Sequence, residues 1–169
     1  DGSSDVCSSD LTVGDFAANR AKIAARAREA HAAGAELAVF PELSLCGYPP
    51  RDLVEKPSFV ERNHAELEAL AREAPDIALI VGFVSRVQSD PSLGGRTVAN
   101  SAALLDGGAV RFVQSKMLLP TYDVFDEGRY FEPARQQQVV EVRGESIALT
   151  ICEDMWNDKN FWAAQTNGR

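Results

Sequence analysis

Three residues of this 169-residue chain carry reactive side chains where strand-like runs end. Glu42 follows the run Leu37-Ala38-Val39-Phe40, Lys116 follows Ala109 to Gln114, and Cys152 closes the run Ile147 to Thr150. In α/β sheets, reactive groups collect at strand ends. A thiol attacks carbonyl carbon only as a thiolate, so it needs a base, and it needs a cation or N–H donors for the charge that develops on the substrate. Cys152 supplies the nucleophile of such a set, Glu42 a base, and Lys116 a cation. A turn directly after an apolar strand also exposes a nucleophile and places backbone N–H groups beside it for an oxyanion.

Each residue has an ordinary reading as well. An isolated cysteine is most often a small buried hydrophobe. Glu42 can be a capping or solvated loop carboxylate, and Lys116 a lysine snorkelling from an apolar surface. A carboxylate between apolar residues at the end of a buried strand suits a general base. The joint occurrence of Glu, Lys and Cys at three strand ends favours the catalytic reading. His31 and His64 lie within helical patterns, away from those ends, which argues against a Cys-His protease. Cys46 sits in a Gly/Pro loop and is read as a packing residue. No Cys-x-x-Cys pair, His-x-x-x-His pair or phosphate-binding Gly-Lys-Ser/Thr loop is present, so a metal or nucleotide site lacks support.

The elements that must hold these residues are legible in the periodicity. Asp15 is a helix cap before an Ala-rich stretch to about Ala33, with Ile23, Ala27 and Ala30 on one face and Gly34 as the stop. Leu37 to Phe40 reads as a short strand covered on both faces. A Pro/Gly-rich loop runs from Pro41 to about Pro57, and a second helix from Ser58 to about Ala74, with Val60, Leu67, Leu70 and Ala71 inward. Ile77 to Phe83 is a buried strand. Asp106-Gly107-Gly108 and Arg143-Gly144-Glu145 are hairpin turns, the second joining Val139–Val142 to Ile147–Cys152. Lys116 to Pro133 is irregular, and Asp158 to Gln165 has the pattern of a helix start. Helices alternating with strands and hairpins predict a mixed α/β sheet with helices packed on it.

Composition narrows the class. Hydrophobic residues make up 45% and charged residues 25%, an ordinary globular balance. The formal charge of −8 is a poor match for a nucleic-acid backbone. No apolar run reaches the roughly 18 residues of a membrane helix. Three cysteines, an odd count, argue against a disulfide framework and for a reducing compartment such as the cytoplasm.

The segments Val39-Phe40-Pro41-Glu42-Leu43, Lys116-Met117-Leu118-Leu119-Pro120 and Ile151-Cys152-Glu153-Asp154 resemble the nitrilase (carbon–nitrogen hydrolase) superfamily. Cys46-Gly47-Tyr48-Pro49-Pro50-Arg51-Asp52-Leu53 and the stretch from Leu119 to Phe131 are similar to the glutaminase domains of glutamine-dependent NAD(+) synthetases. The resemblance runs from about Thr12 to about Trp162. It implies an α/β nitrilase-like αββα sandwich, with Glu42 as proton acceptor, Lys116 as charge stabiliser and Cys152 as nucleophile. It further implies that Tyr122 binds glutamine and that Tyr48, Phe125, Glu153 and Trp156 line that pocket. Glu127 matches a second glutamate near the lysine, or else is an exposed loop carboxylate. No cofactor is implied for the amidase domain. ATP and Mg are implied only for a C-terminal synthetase domain, the partner that takes the ammonia, in a homo-oligomeric enzyme. The alternatives are a stand-alone amidase for another small amide and a noncatalytic remnant.

Two departures from that pattern carry expectations. Asp1 to Leu11 lacks the apolar strand with which the superfamily begins and resembles translated sequencing adapter, so residues 1–11 are expected to be non-native or disordered. Residues 12–169 are then a partial hydrolase domain, since the chain reaches Arg169 soon after Cys152. The sandwich is accordingly expected to be incomplete at both ends, and the isolated fragment to be unstable and poorly active.

Overall fold

A computed structural model describes residues 11–88, 95–121 and 126–156. Its centre is a four-stranded sheet in the order β1-β2-β3-β4, formed by Leu37–Val39, Ala78–Arg86, Val98–Asp106 and Ala109–Ser115. β1 pairs with β2 in parallel, across a connection that contains α2 (Pro57–Glu73), and β2, β3 and β4 pair antiparallel. The Asp106-Gly107-Gly108 turn closes β3 onto β4, with both glycines at positive φ, as a tight hairpin requires.

Helix α1 (Phe16–Ala32) starts where Asp15 accepts a hydrogen bond from the Ala18 N–H, and it stops ahead of Gly34 at φ +88°. α2 opens on Pro57, whose missing N–H costs nothing at a first helical position. Both helices pack on one face of the sheet. Ile23, Ala27, Leu67 and Leu70 meet Leu79, Val81 and Phe83 there, and a buried side chain of this size contributes about 1.5–3 kcal/mol. Arg20 of α1 ties the helices together through Glu66 and Glu73 of α2.

The opposite face takes the alternate residues Ala78, Ile80, Ala102 and Leu104. They are covered by Val142, Leu149 and Ile151, in and after a hairpin of β5 (Val139–Val142) and β6 (Glu145–Ala148). One helical layer, a sheet and the start of a further β layer thus match the expected nitrilase-like α/β sandwich. The second helical layer has no counterpart among the described residues, and the predicted helix from Asp158 lies outside them.

Two expectations about strands need correction. β1 is not covered on both faces: Leu37 and Ala38 are half-buried and Val39 is 57% exposed, and among the described residues β1 pairs only with β2. The strand expected from Ile147 to Cys152 ends at Ala148. The Leu149 carbonyl accepts from the Gln137 amide and the Ile151 N–H goes to Asp154, so side chains take the ladder's place there.

Candidate active site

Glu42 stands in a turn laid flat on the middle of β2. The Phe40 N–H reaches the Ile80 carbonyl, the Leu45 N–H reaches that of Gly82, and Leu43 between them adopts φ +50°. A Cβ at position 82 would lie 2.3 Å from the Leu43 nitrogen and 2.5 Å from the Pro41 oxygen. Only a glycine lets this turn close on the strand, so Gly82 sets the depth at which Glu42 sits. Gly82→Ala is expected to cost about 1–3 kcal/mol, the usual range for overpacking. Urea unfolding checks this; a variant as stable as the unchanged protein would show that the turn can lift without cost.

Lys116 follows β4. Its N–H bonds the Asn100 carbonyl of β3, and its own carbonyl accepts from Ala134. The side chain is 0% exposed, with Nζ 2.7 Å from Glu42 Oε1 and 2.9 Å from Glu127 Oε2. Asn100, also 0% exposed, donates from Nδ2 to the same two oxygens, at 2.6 Å and 3.3 Å. Glu127 opens the short helix α3 (Glu127–Tyr130) and is 5% exposed, which decides between its two sequence readings against the exposed loop carboxylate. The Tyr48 hydroxyl donates to Glu127 Oε1 at 3.1 Å.

The charges in this cluster balance in a definite way. Burial pulls the Lys116 pKa down, but the hydrogen bonds and charges of Glu42 and Glu127 outweigh it, so the lysine stays an ammonium. Burial holds the Glu127 carboxyl above the usual carboxylate range, against the opposing pull of Lys116. Burial and the neighbouring Glu127 push the Tyr48 phenol up, so it remains a donor.

Cys152 begins a tight turn, Cys152–Trp156, and has φ +48°. A non-glycine residue in this region is strained by about 1–3 kcal/mol, and such strain clusters at reactive positions. The thiol is exposed. Partial burial and the Glu42 charge raise its pKa, whereas Lys116 and a backbone hydrogen bond at Glu153 lower it. Glu42 and Lys116 are therefore near enough for their charges to act on the Cys152 thiol. Cys46, by contrast, is buried, its thiol pushed up to about 12, and it packs with Phe16 and Phe59.

Tyr48 lines two cavities. One of about 290 Å³ is shared with Glu42 and Ser44. Another of about 200 Å³ is shared with Glu127, Tyr130 and Phe131. Glu153 lines a third of about 460 Å³ with Met117, Leu118 and Phe131. Trp156, expected to line the substrate pocket, is 73% exposed and borders none of these three. Tyr122 and Phe125, expected in the same pocket, lie outside the described residues, as does Cys7. His31 is exposed on α1, and His64 packs its ring edge-on to Phe83, so neither enters the site.

Sequence reasoning passed over Asn100, Gly82 and Asp154. Gly82 carried a usable signal, because a lone glycine inside a buried strand marks a close backbone approach. Asn100 and Asp154 carried a weaker one, as polar residues next to apolar runs.

The sequence model of the carbon–nitrogen hydrolase family matches residues 6–169, starting ahead of Thr12. The chain is 46% identical to a glutamine-dependent NAD(+) synthetase of Synechocystis sp., covering 89% of this chain and 27% of that protein. It is 38% identical to the Thermotoga maritima enzyme of the same name, covering 86% and 24%. Among solved structures, a glutamine-dependent NAD+ synthetase of Acinetobacter baumannii superposes with a TM-score of 0.78 at 35% identity, over 93% of this chain and 29% of that one. A nitrilase-superfamily amidase of Nesterenkonia superposes with a TM-score of 0.72 at 25% identity, over 94% and 58%. The chain thus spans about a quarter of the curated relatives it matches. With a family match over nearly its whole length, the chain belongs to the carbon–nitrogen hydrolase family.

Proposed function

We propose that the chain is the glutaminase part of a glutamine-dependent NAD(+) synthetase, with Cys152 as nucleophile, Glu42 as general base and Lys116 as oxyanion stabiliser. The observation that carries this reading is the buried Lys116 ammonium, held between Glu42 and Glu127 beside a cysteine on a strained turn. Glu42 takes the Cys152 proton, and the thiolate attacks the side-chain amide carbon of glutamine. The tetrahedral oxyanion is held by Lys116 Nζ and a backbone N–H near Glu153. Glu42 returns the proton to the departing ammonia. Water activated by Glu42 then cleaves the glutamyl thioester and releases glutamate. The ammonia passes to a synthetase domain, which uses ATP to convert deamido-NAD to NAD. Tyr48 borders a cavity that it shares with Glu42, which suits a substrate contact.

The Nesterenkonia amidase, of which the chain covers more than half, favours a second reading as an amidase for another small amide. Rapid acid quench of the full-length gene product with glutamine, followed by mass spectrometry, separates the two. The expected result is a glutamyl adduct on the Cys152 peptide. A product that forms an acyl adduct from other small amides but not from glutamine would overturn the glutaminase reading.

A further inference from the structure

We infer that Asp154 is a positioning residue that fixes the distance between the Lys116 cation and the Cys152 nucleophile. The inference rests on the roles proposed for those two residues, but it comes from a separate set of contacts. Asp154 Oδ1 accepts the N–H groups of Met117 and Leu118 at 2.9 Å and 2.8 Å, and Oδ2 accepts that of Ile151 at 3.1 Å. Two of these donors directly follow Lys116 in the chain; the third directly precedes Cys152. A single carboxylate, 8% exposed, therefore grips both backbone segments at their reactive residues. The Asp154 N–H returns to the Ile151 carbonyl at 3.1 Å and closes the turn on itself.

Ile151 packs its side chain on the sheet face, and Asp154 ties its backbone to the segment that follows Lys116. Lys116 is anchored to β3 through Asn100 and to Ala134. Cys152 follows the hairpin after its ladder has ended at Ala148. The strained Cys152 backbone needs an outside restraint, and an anionic acceptor of backbone N–H groups is a strong one. Asp154 touches no reacting atom in this arrangement; it acts through the two residues it holds.

The test exploits a difference between the two oxygens. In Asp154→Asn the amide oxygen can still accept from Met117 and Leu118, but the NH2 group faces the Ile151 N–H donor to donor. The variant frees the nucleophile's turn and spares the lysine's segment. In the full-length gene product it is expected to lower kcat for glutamine hydrolysis by up to about 10²-fold with KM little changed, the size of effect a 1 Å misplacement produces. The Ile151 amide is expected to exchange hydrogen faster, with Met117 and Leu118 unaltered. Iodoacetamide alkylation of Cys152 should move its midpoint to higher pH, as Lys116 no longer lowers the thiol. Glu42, Lys116, Glu127, Tyr48 and Glu153 are the titratable groups that face or adjoin this site. In a Lys116→Met background, Asp154→Asn should add no further shift of that midpoint.

A lower melting temperature with kcat and the alkylation midpoint unchanged would overturn the inference, since Asp154 would then be only structural. An equal midpoint shift with and without Lys116 would also overturn it. If the unchanged protein releases no ammonia from glutamine, the glutaminase reading fails, while alkylation and exchange still decide the role of Asp154.

Discussion

On the proposed function, full-length gene product carrying Cys152→Ala is expected to lose NAD formation from glutamine and to keep NAD formation from added ammonium. The nucleophile's removal leaves the cluster of Glu42, Lys116 and Glu127 intact, because Cys152 contributes no hydrogen bond to it. Folding should therefore be unchanged, and any synthetase domain remains free to use ammonia from solution. Without the thiol no glutamyl thioester forms, and the residual rate depends on water attacking a bound amide. Loss of a covalent nucleophile in comparable enzymes costs about 10⁶ in kcat. The measurement is NAD production with each nitrogen source at matched protein concentration. Retained glutamine use would remove Cys152 from the mechanism; loss of both reactions would point to a folding defect.

Lys116→Met is expected to lower both turnover and stability. Taking away one oxyanion donor, the role proposed for Lys116, costs about 10²–10³ in kcat. The stability effect comes from the two carboxylates left behind. Glu42 Oε1 and Glu127 Oε2 share Lys116 Nζ and Asn100 Nδ2, and without the ammonium only the neutral amide lies between them. Leaving a buried charge without its partner costs about 3–5 kcal/mol. The folded variant can escape part of that by protonating Glu127, whose carboxyl is already above the usual range. A carboxyl with a folded pKa above its unfolded value binds more protons when folded, so stability falls as pH rises through that interval. The deficit of Lys116→Met should thus be smaller near about pH 5 than near about pH 8. Chemical unfolding at the two pH values checks the sign. A deficit that grows on acidification would mean that Glu127 does not take up the proton.

The helices and the central strands were legible because local chemistry agrees with the fold. Asp15 and Gly34 bracket α1, and the inward stripe of α2 is buried as its period requires. β1 misled because its apolar run matches a strand covered on both faces, whereas coverage is decided by the layers that pack on it, and Val39 is left exposed. The end of β6 misled for a similar reason: Leu149 and Ile151 are apolar and buried, but their backbone partners are Gln137 and Asp154, not a strand.

The site shows the same division. Glu42 and Lys116, 74 residues apart, were drawn together by the logic of strand ends, and they lie 2.7 Å apart. Glu127 stayed ambiguous because a four-residue helix has no period to read. Asn100 looked like an ordinary strand residue, and its place opposite Val84 follows from the β2–β3 register, which no local pattern carries.

The pairing of two glutamates with one lysine has a consequence for the end of the proposed reaction. With both carboxylates ionised, the cluster carries one net negative charge in a partly dry setting. An incoming amide is neutral at its reacting end and meets no repulsion from it. In the proposed reaction, hydrolysis would turn that end into a carboxylate, a like charge beside Glu42, which low-dielectric surroundings penalise. Glu42 and Glu127 would then act as an electrostatic ejector for the acid, weakening product inhibition and giving the cycle a direction that the covalent chemistry alone does not supply.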